Sequence, residues 1–135
     1  MSVTVLEVKE LMKMDTFGEN DPYVIVGINA ATHRTKTVTN GGEACEFEAK
    51  HNNKLKFRHV EKMDSVIVRV FDEDIGSAST DDQIGCTDDL GAALHKYDIG
   101  EALPSGGAQD SNGSWQHEEW FTIRQELHMM DKNVA

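Results

Sequence analysis

Short stretches in which apolar residues alternate with polar or small ones recur along the chain. The clearest are residues 22–28, which read PYVIVGI, and residues 65–71, which read SVIVRVF, because each places three apolar β-branched side chains on one face. A period of two is the pattern of a β-strand with one buried face. Further strand-like stretches occupy residues 3–8, 33–38, 54–60 and 118–123, and a weaker one occupies residues 83–90. The pattern therefore predicts a succession of short strands.

The spacing of these strands favours one fold class. Short strands about 8–12 residues apart, with turn residues between them, are typical of an antiparallel sandwich or barrel. A chain of 135 residues is long enough for one domain with a single core. Residues 104–114 are rich in glycine and serine and predict a surface loop, since aromatic residues return after them. We expect an all-β domain with Trp120 in its core.

Composition and charge narrow the function classes. The net charge of −11 argues against general nucleic-acid binding, which needs a basic surface. No apolar run approaches the roughly 20 residues that a membrane-spanning helix needs. Met1 and the residues after it lead directly into a strand pattern, so we expect no signal peptide. Cys45 and Cys86 have no paired spacing, which favours free thiols in a reducing cytoplasm.

Acidic residues gather in two of the predicted loops. Asp15 and Asp21 flank the loop after the first strand, and Asp72, Asp74 and Asp82 lie around the loop after the fifth. If both loops lie at one end of a sandwich, five carboxylates converge. Calcium suits such a cluster, because it takes 6–8 oxygen ligands at about 2.3–2.6 Å in irregular geometry. Zinc would require histidine or cysteine at tetrahedral spacing, and the spacing here does not fit an EF-hand.

Four segments resemble the C2 domain family, the calcium-dependent phospholipid-binding module. They are VTVLEVKELMKMDTFGENDPYV at the start, the basic TKTV, the acidic VIVRVFDEDIG…DDQIG and the closing EEWFTI. The resemblance covers residues 2–124. It implies an eight-stranded antiparallel β-sandwich of two four-stranded sheets with the circularly shifted, type II topology. The domain would span residues 1–124, and residues 125–135 would supply the eighth strand or a frayed tail.

The resemblance also implies a set of calcium ligands. Asp21 follows a glycine-bearing loop and opens Asp-Pro-Tyr-Val, while Asp72 and Asp74 form the family's Asp-x-Asp. Two extra residues between Asp74 and Asp82 leave Ser79 and Asp81 open as further ligands. The segment EAKHNNKLKF also departs from the family pattern. The implied ligands, of which Met14 and Glu73 act through backbone carbonyls, are Met14, Asp15, Asp21, Asp72, Glu73, Asp74 and Asp82.

A membrane function follows from the same resemblance. Ca²⁺ would neutralise the aspartates and bridge them to anionic phospholipids such as phosphatidylserine, with phosphoinositides as further lipids. Phe17 and Ile75 would insert from the loop tips, and Arg34 and Lys36 would contact lipid from the basic strand. We therefore expect a cytoplasmic protein that associates peripherally with membranes when Ca²⁺ rises.

Two other function classes stay open at this point. The chain could be a C2-like protein–protein interaction module with a weak or unused calcium site. An enzyme would need an acid–base pair such as Asp74 and Asp82, but no positioned nucleophile accompanies them. We expect a membrane-targeting module and no enzymatic activity.

Overall fold

The computed structural model describes residues 1–14, 18–58, 60, 62–74, 81–94, 108–109, 115–116 and 119–125. Within these residues the secondary structure is mostly short strands, joined by one 3-10 turn at Ala49–His51 and one short helix, α1, at Gly91–Leu94. The strands are β1 Ser2–Thr4, β2 Glu7–Val8, β3 Pro22–Ile28, β4 Ala31–Arg34, β5 Cys45–Glu46, β6 Lys54–Lys56, β7 Val66–Asp72, β8 Asp82–Cys86, β9 Ala108–Gln109, β10 Trp115–Gln116 and β11 Arg124–Gln125. No helix among the described residues is long and apolar enough to cross a bilayer.

A five-stranded antiparallel sheet is the largest element, with the strand order β11-β8-β7-β3-β4. The long strands β3 and β7 lie at its centre and pair over their whole length, so that Val24 is opposite Val70 and Val26 is opposite Val68. These are the two stretches with the clearest alternation. Their inward side chains form one wall of the core.

The other wall comes from short strand pairs and loops. β1 pairs with β6 and β2 pairs with β5, again antiparallel. Leu11, Phe47, Leu55 and Phe57 are buried from this side and pack in one cluster with the valines of the five-stranded sheet. The predicted all-β antiparallel sandwich is confirmed. The eight-strand count, the two four-stranded sheets and the type II order stay predictions.

Threonine hydroxyls interrupt the sheet where the sequence predicts longer strands. The stretch 33–38 was expected to be one strand, but β4 ends at Arg34. Thr35 is buried, and its Oγ1 accepts the Val24 N–H at 3.0 Å in place of a backbone carbonyl. Thr87 does the same after β8, where its Oγ1 accepts the Val68 N–H at 3.1 Å. A side-chain acceptor breaks the regular backbone ladder, so both strands end early.

The closing segment differs from the prediction. No strand forms over residues 119–123, and β11 instead begins at Arg124, beside β8. Trp120 is 57% exposed, with the Lys9 ammonium 4.2 Å from its ring centre, so the prediction of a core tryptophan is wrong.

β11 and β8 approach closely at Gly85, where a Cβ atom would lie 2.6 Å from the Arg124 carbonyl oxygen. Of residues 125–135, predicted as the eighth strand or a frayed tail, all but Gln125 lie outside the described residues.

Candidate metal centre

Three carboxylates meet where β7 ends and β8 begins. Asp72 is the last residue of β7 and is paired directly with Asp82, the first residue of β8. Asp74 follows two residues after Asp72. One oxygen from each of the three carboxylates lies within 4.8 Å of those of the other two. The antiparallel pairing of β7 and β8 therefore assembles three of the five predicted aspartates at one point.

The spacing of these oxygens suits a calcium ion. Two oxygens on opposite sides of one Ca²⁺ lie roughly 4.6–5.2 Å apart, twice the Ca–O distance. The separations of at most 4.8 Å therefore allow all three oxygens to bind one ion. Asp72 is fully buried, while Asp74 and Asp82 are half-buried, so the cluster is open to solvent on one side. The donor set is all oxygen, as hard cations prefer.

Asp21 braces the cluster from the start of β3. Its backbone N–H donates to Asp72 Oδ1 at 2.8 Å, and its carbonyl accepts the Glu73 N–H at 2.9 Å. The Asp21 side chain points to another partner, because its Oδ1 accepts the Asn40 N–H at 2.6 Å. The structure thus places Asp21 beside the three-carboxylate group without including its side chain in it. Its predicted role as a ligand stays a prediction.

Asn20 holds the base of the first acidic loop and was not among the predicted site residues. Its side chain is almost fully buried. Oδ1 accepts the Met14 N–H at 2.9 Å, and Nδ2 donates to the Met12 carbonyl at 2.8 Å. A buried asparagine that satisfies two backbone groups fixes the path of the chain into the loop. The signal in the sequence was an asparagine directly before Asp-Pro, a pair typical of turn initiation.

Asp81 lies next to the cluster and binds protein groups with both of its oxygens. Oδ1 accepts the Asp74 N–H at 2.8 Å, and Oδ2 accepts the Tyr23 hydroxyl at 2.7 Å. The pKa of Tyr23 is raised to about 12, first by burial of the phenol and then by its hydrogen bond to Asp81. Asp81 is not one of the three grouped carboxylates.

Arg34, predicted as a lipid contact, is engaged within the protein. Its guanidinium lies 3.6 Å from the centre of the Tyr23 ring, and Nη2 lies 3.9 Å from Glu73 Oε2. Thr37 links the two by hydrogen-bonding to both Arg34 and Glu73. Lys36, on the same stretch, is solvent-exposed. Arg34 is thereby linked to Glu73, the residue between Asp72 and Asp74.

Four of the predicted site residues lie outside the described residues: Asp15, Phe17, Ile75 and Ser79. Met14 is described and is buried. No contact among the described residues tests whether the backbone carbonyls of Met14 and Glu73 bind calcium. Both ligands stay predictions.

Comparison with known protein families decides the classification. The family model of the C2 domain matches residues 1–95 of the chain. The chain belongs to the C2 domain family. This match covers all three grouped aspartates, and it confirms the resemblance drawn from the sequence motifs. No curated protein sequence matches the chain significantly.

Two solved structures with a TM-score of 0.50 share the fold of this C2 domain. The calcium-bound pair of C2 domains of Extended-Synaptotagmin 2 shares 21% identity at a TM-score of 0.50, over 71% of this chain and 35% of that chain. A second structure of the same two domains shares 22% identity at a TM-score of 0.50, over 71% of this chain and 31% of that one. Human GIVD cytosolic phospholipase A2 shares 25% identity over 84% of this chain and 14% of its own, at a TM-score of 0.44. The chain spans about a third or less of these proteins.

Proposed function

We propose that this C2 domain binds Ca²⁺ through Asp72, Asp74 and Asp82 and thereby associates with membranes that contain anionic phospholipids. The convergence of the three carboxylates within 4.8 Å carries the proposal. The calcium-bound state of the C2 domains of Extended-Synaptotagmin 2 supports it, since this chain shares their fold. No reaction is part of the proposed function.

The charge of the protein explains why the ion is needed. A chain with a net charge of −11 is repelled by an anionic leaflet, and most strongly where carboxylates are concentrated. Bound Ca²⁺ would neutralise these carboxylates and offer open coordination positions to lipid phosphate oxygens. Asp72 is held in place by the Asp21 N–H and by its position in β7, so the cluster is largely formed before an ion arrives. A preformed site loses little conformational entropy on binding.

The membrane contact extends to the residues around the cluster. Phe17 and Ile75 belong to the two acidic loops, and their side chains would add apolar insertion into the headgroup region. Lys36 is exposed and would attract anionic headgroups, phosphoinositides above all. Arg34 would contribute less to lipid binding, because its guanidinium already contacts Tyr23 and Glu73.

Co-sedimentation with liposomes tests the proposal. Wild-type protein should bind phosphatidylserine liposomes in Ca²⁺ and dissociate on addition of a chelator. The double variant Phe17→Ala, Ile75→Ala should bind about 10–100-fold more weakly, since it loses two inserted apolar side chains. Lys36→Ala should weaken binding mainly to phosphoinositide liposomes and less at high salt.

Other outcomes point elsewhere. Binding that does not change with the chelator would contradict calcium dependence. The absence of lipid binding in Ca²⁺ would favour the protein-interaction module. Tip variants that bind like wild type would contradict the placement of the membrane contact at the calcium end.

A further inference from the structure

Asp81 sits one residue before Asp82 and yet binds in a different way. Both oxygens of its carboxylate accept hydrogen bonds from the protein, at 2.8 Å from the Asp74 N–H and at 2.7 Å from the Tyr23 hydroxyl. Hydrogen bonds to a charged acceptor are about twice as strong as neutral ones. An aspartate used in this way acts as a bridge between two elements.

One end of this bridge sets the position of a grouped carboxylate. Asp74 lies beyond the end of β7, where the ladder between β7 and β8 has already ended at the Asp72–Asp82 pair. The backbone of Asp74 is therefore not held by strand pairing. Its N–H is held instead by Asp81, across the segment that joins the two strands. Holding this N–H restrains the Asp74 backbone and therefore the direction of its Cα–Cβ bond, from which the carboxylate extends.

The other end of the bridge is a rigid ring on the central strand. Tyr23 belongs to β3, and its ring stacks on Phe71 of β7, with centres 5.4 Å apart and planes at 9°. The Arg34 guanidinium lies 3.6 Å from the Tyr23 ring centre, so a second group also packs against the ring. Tyr23 is buried on a central strand and packs on both sides, so its ring is better held than a loop residue. The Tyr23 hydroxyl is thus an anchor on the sheet for Asp81.

We propose that Tyr23 and Asp81 are a positioning pair that orients Asp74 for cation binding, and that Asp81 is not itself a ligand. This inference rests on the proposed calcium function. It assigns different roles to the two adjacent aspartates: Asp82 binds the cation, and Asp81 positions Asp74. It also ties the affinity of the site to a residue of the central sheet that carries no charge.

The test compares Tyr23→Phe with wild type in two measurements. Tyr23→Phe removes only the hydroxyl and keeps the stacked ring. Calorimetric titration should show that the affinity for Ca²⁺ is weakened about 3–10-fold. The reason is that Asp81 loses its hydrogen bond from Tyr23 and therefore holds Asp74 less firmly. Amide hydrogen exchange in the calcium-free protein should show the Asp74 N–H exchanging several-fold faster.

A matched control and a double variant sharpen the result. Ser65→Ala removes another hydroxyl–carboxylate bond, to Asp89 at 2.9 Å, at the opposite end of β7, and should leave both values unchanged. Tyr23→Phe introduced into Asp81→Ala should change the affinity less than about twofold, since both changes break the same link.

The outcomes are separable from those of the proposed function. An unchanged affinity or an unchanged Asp74 exchange rate in Tyr23→Phe overturns the positioning role. Additive effects of Tyr23→Phe and Asp81→Ala also overturn it. If wild type binds no Ca²⁺, the proposed function fails, and the Asp74 exchange rate alone decides whether the pair holds this residue.

Discussion

Replacing Asp72 with asparagine should stabilise the calcium-free protein and abolish its response to calcium. Asp72 is fully buried, and one of its carboxylate oxygens lies within 4.8 Å of a carboxylate oxygen of Asp74 and of Asp82. Each pair of like charges at this distance repels by about 1–3.5 kcal/mol for an effective dielectric between 80 and 20. The asparagine oxygen can still accept the Asp21 N–H, although without the charge.

The two effects together give an expected shift. Two repulsions of about 1 kcal/mol each, the high-dielectric value that suits a cluster open to solvent, less about 1 kcal/mol for the weakened hydrogen bond, leave about 1 kcal/mol of net stabilisation. For a domain of this size that raises Tm by roughly 2–8 °C. In wild type, Ca²⁺ at a hundredfold excess over Kd should add about 2.7 kcal/mol of stability, and Asp72→Asn should lose this increment.

Differential scanning calorimetry with and without Ca²⁺ measures both effects. Asp88→Asn is the matched control, since it removes one carboxylate from an exposed pair with Arg124 and should change Tm little. A calcium-free Asp72→Asn protein that melts below wild type would refute the repulsion argument. A full Ca²⁺ shift retained by this variant would refute the assignment of Asp72 as a ligand.

Three further predictions concern the scaffold around the cluster. Asn20→Ala should destabilise the fold by about 2–3 kcal/mol in urea unfolding, because one buried and one partly buried backbone group lose their partner. Gly85→Ala should cost about 1–3 kcal/mol in the same assay, because its Cβ would clash with the Arg124 carbonyl. Tyr23 has a raised pKa of about 12, so its contribution to stability is full below pH 10 and is lost as pH rises toward 12. Absorbance titration of tyrosinate measures the pKa, and urea unfolding at each pH measures the loss of stability.

Each of these has a contradicting result. Asn20→Ala with wild-type stability would mean that the loop base is held elsewhere. Gly85→Ala with wild-type stability would mean that β11 does not lie against β8 as described. A Tyr23→Phe protein that loses stability between pH 10 and 12 as steeply as wild type would show that another group causes the loss.

The sequence predicted the central sheet and the acidic cluster for a simple reason. Alternation in β3 and β7 is strong, which identifies the central strands. Asp72 ends β7 and Asp82 begins β8, so the antiparallel pairing of β7 with β8 brings these two aspartates together. The first strand and the closing strand were less predictable, because β1, β2 and β11 are only two or three residues long, too short to show a period of two. Trp120 was misplaced because a large aromatic side chain is usually buried, whereas here it lies beside Lys9 at the surface.

The side-chain contacts of Asp81 and Arg34 around the cluster could not be predicted from the sequence. Asp81 directly precedes β8, and its contacts with Tyr23 and Asp74 depend on how β8 pairs with β7. Arg34 shows the same limit. Its sequence context indicates a free basic strand, but packing against Tyr23 and Glu73 occupies its guanidinium.

Isothermal titration of the wild-type protein with Ca²⁺, and separately with Mg²⁺, tests the calcium site most directly. Saturable Ca²⁺ binding is expected, with much weaker Mg²⁺ binding, because Mg²⁺ demands tighter octahedral geometry and gives up its water reluctantly. The same titration of Asp74→Asn should show little or no binding, since one of the three grouped carboxylates is lost. Equal binding of both ions, or no saturable Ca²⁺ binding by wild type at millimolar concentration, would contradict the account.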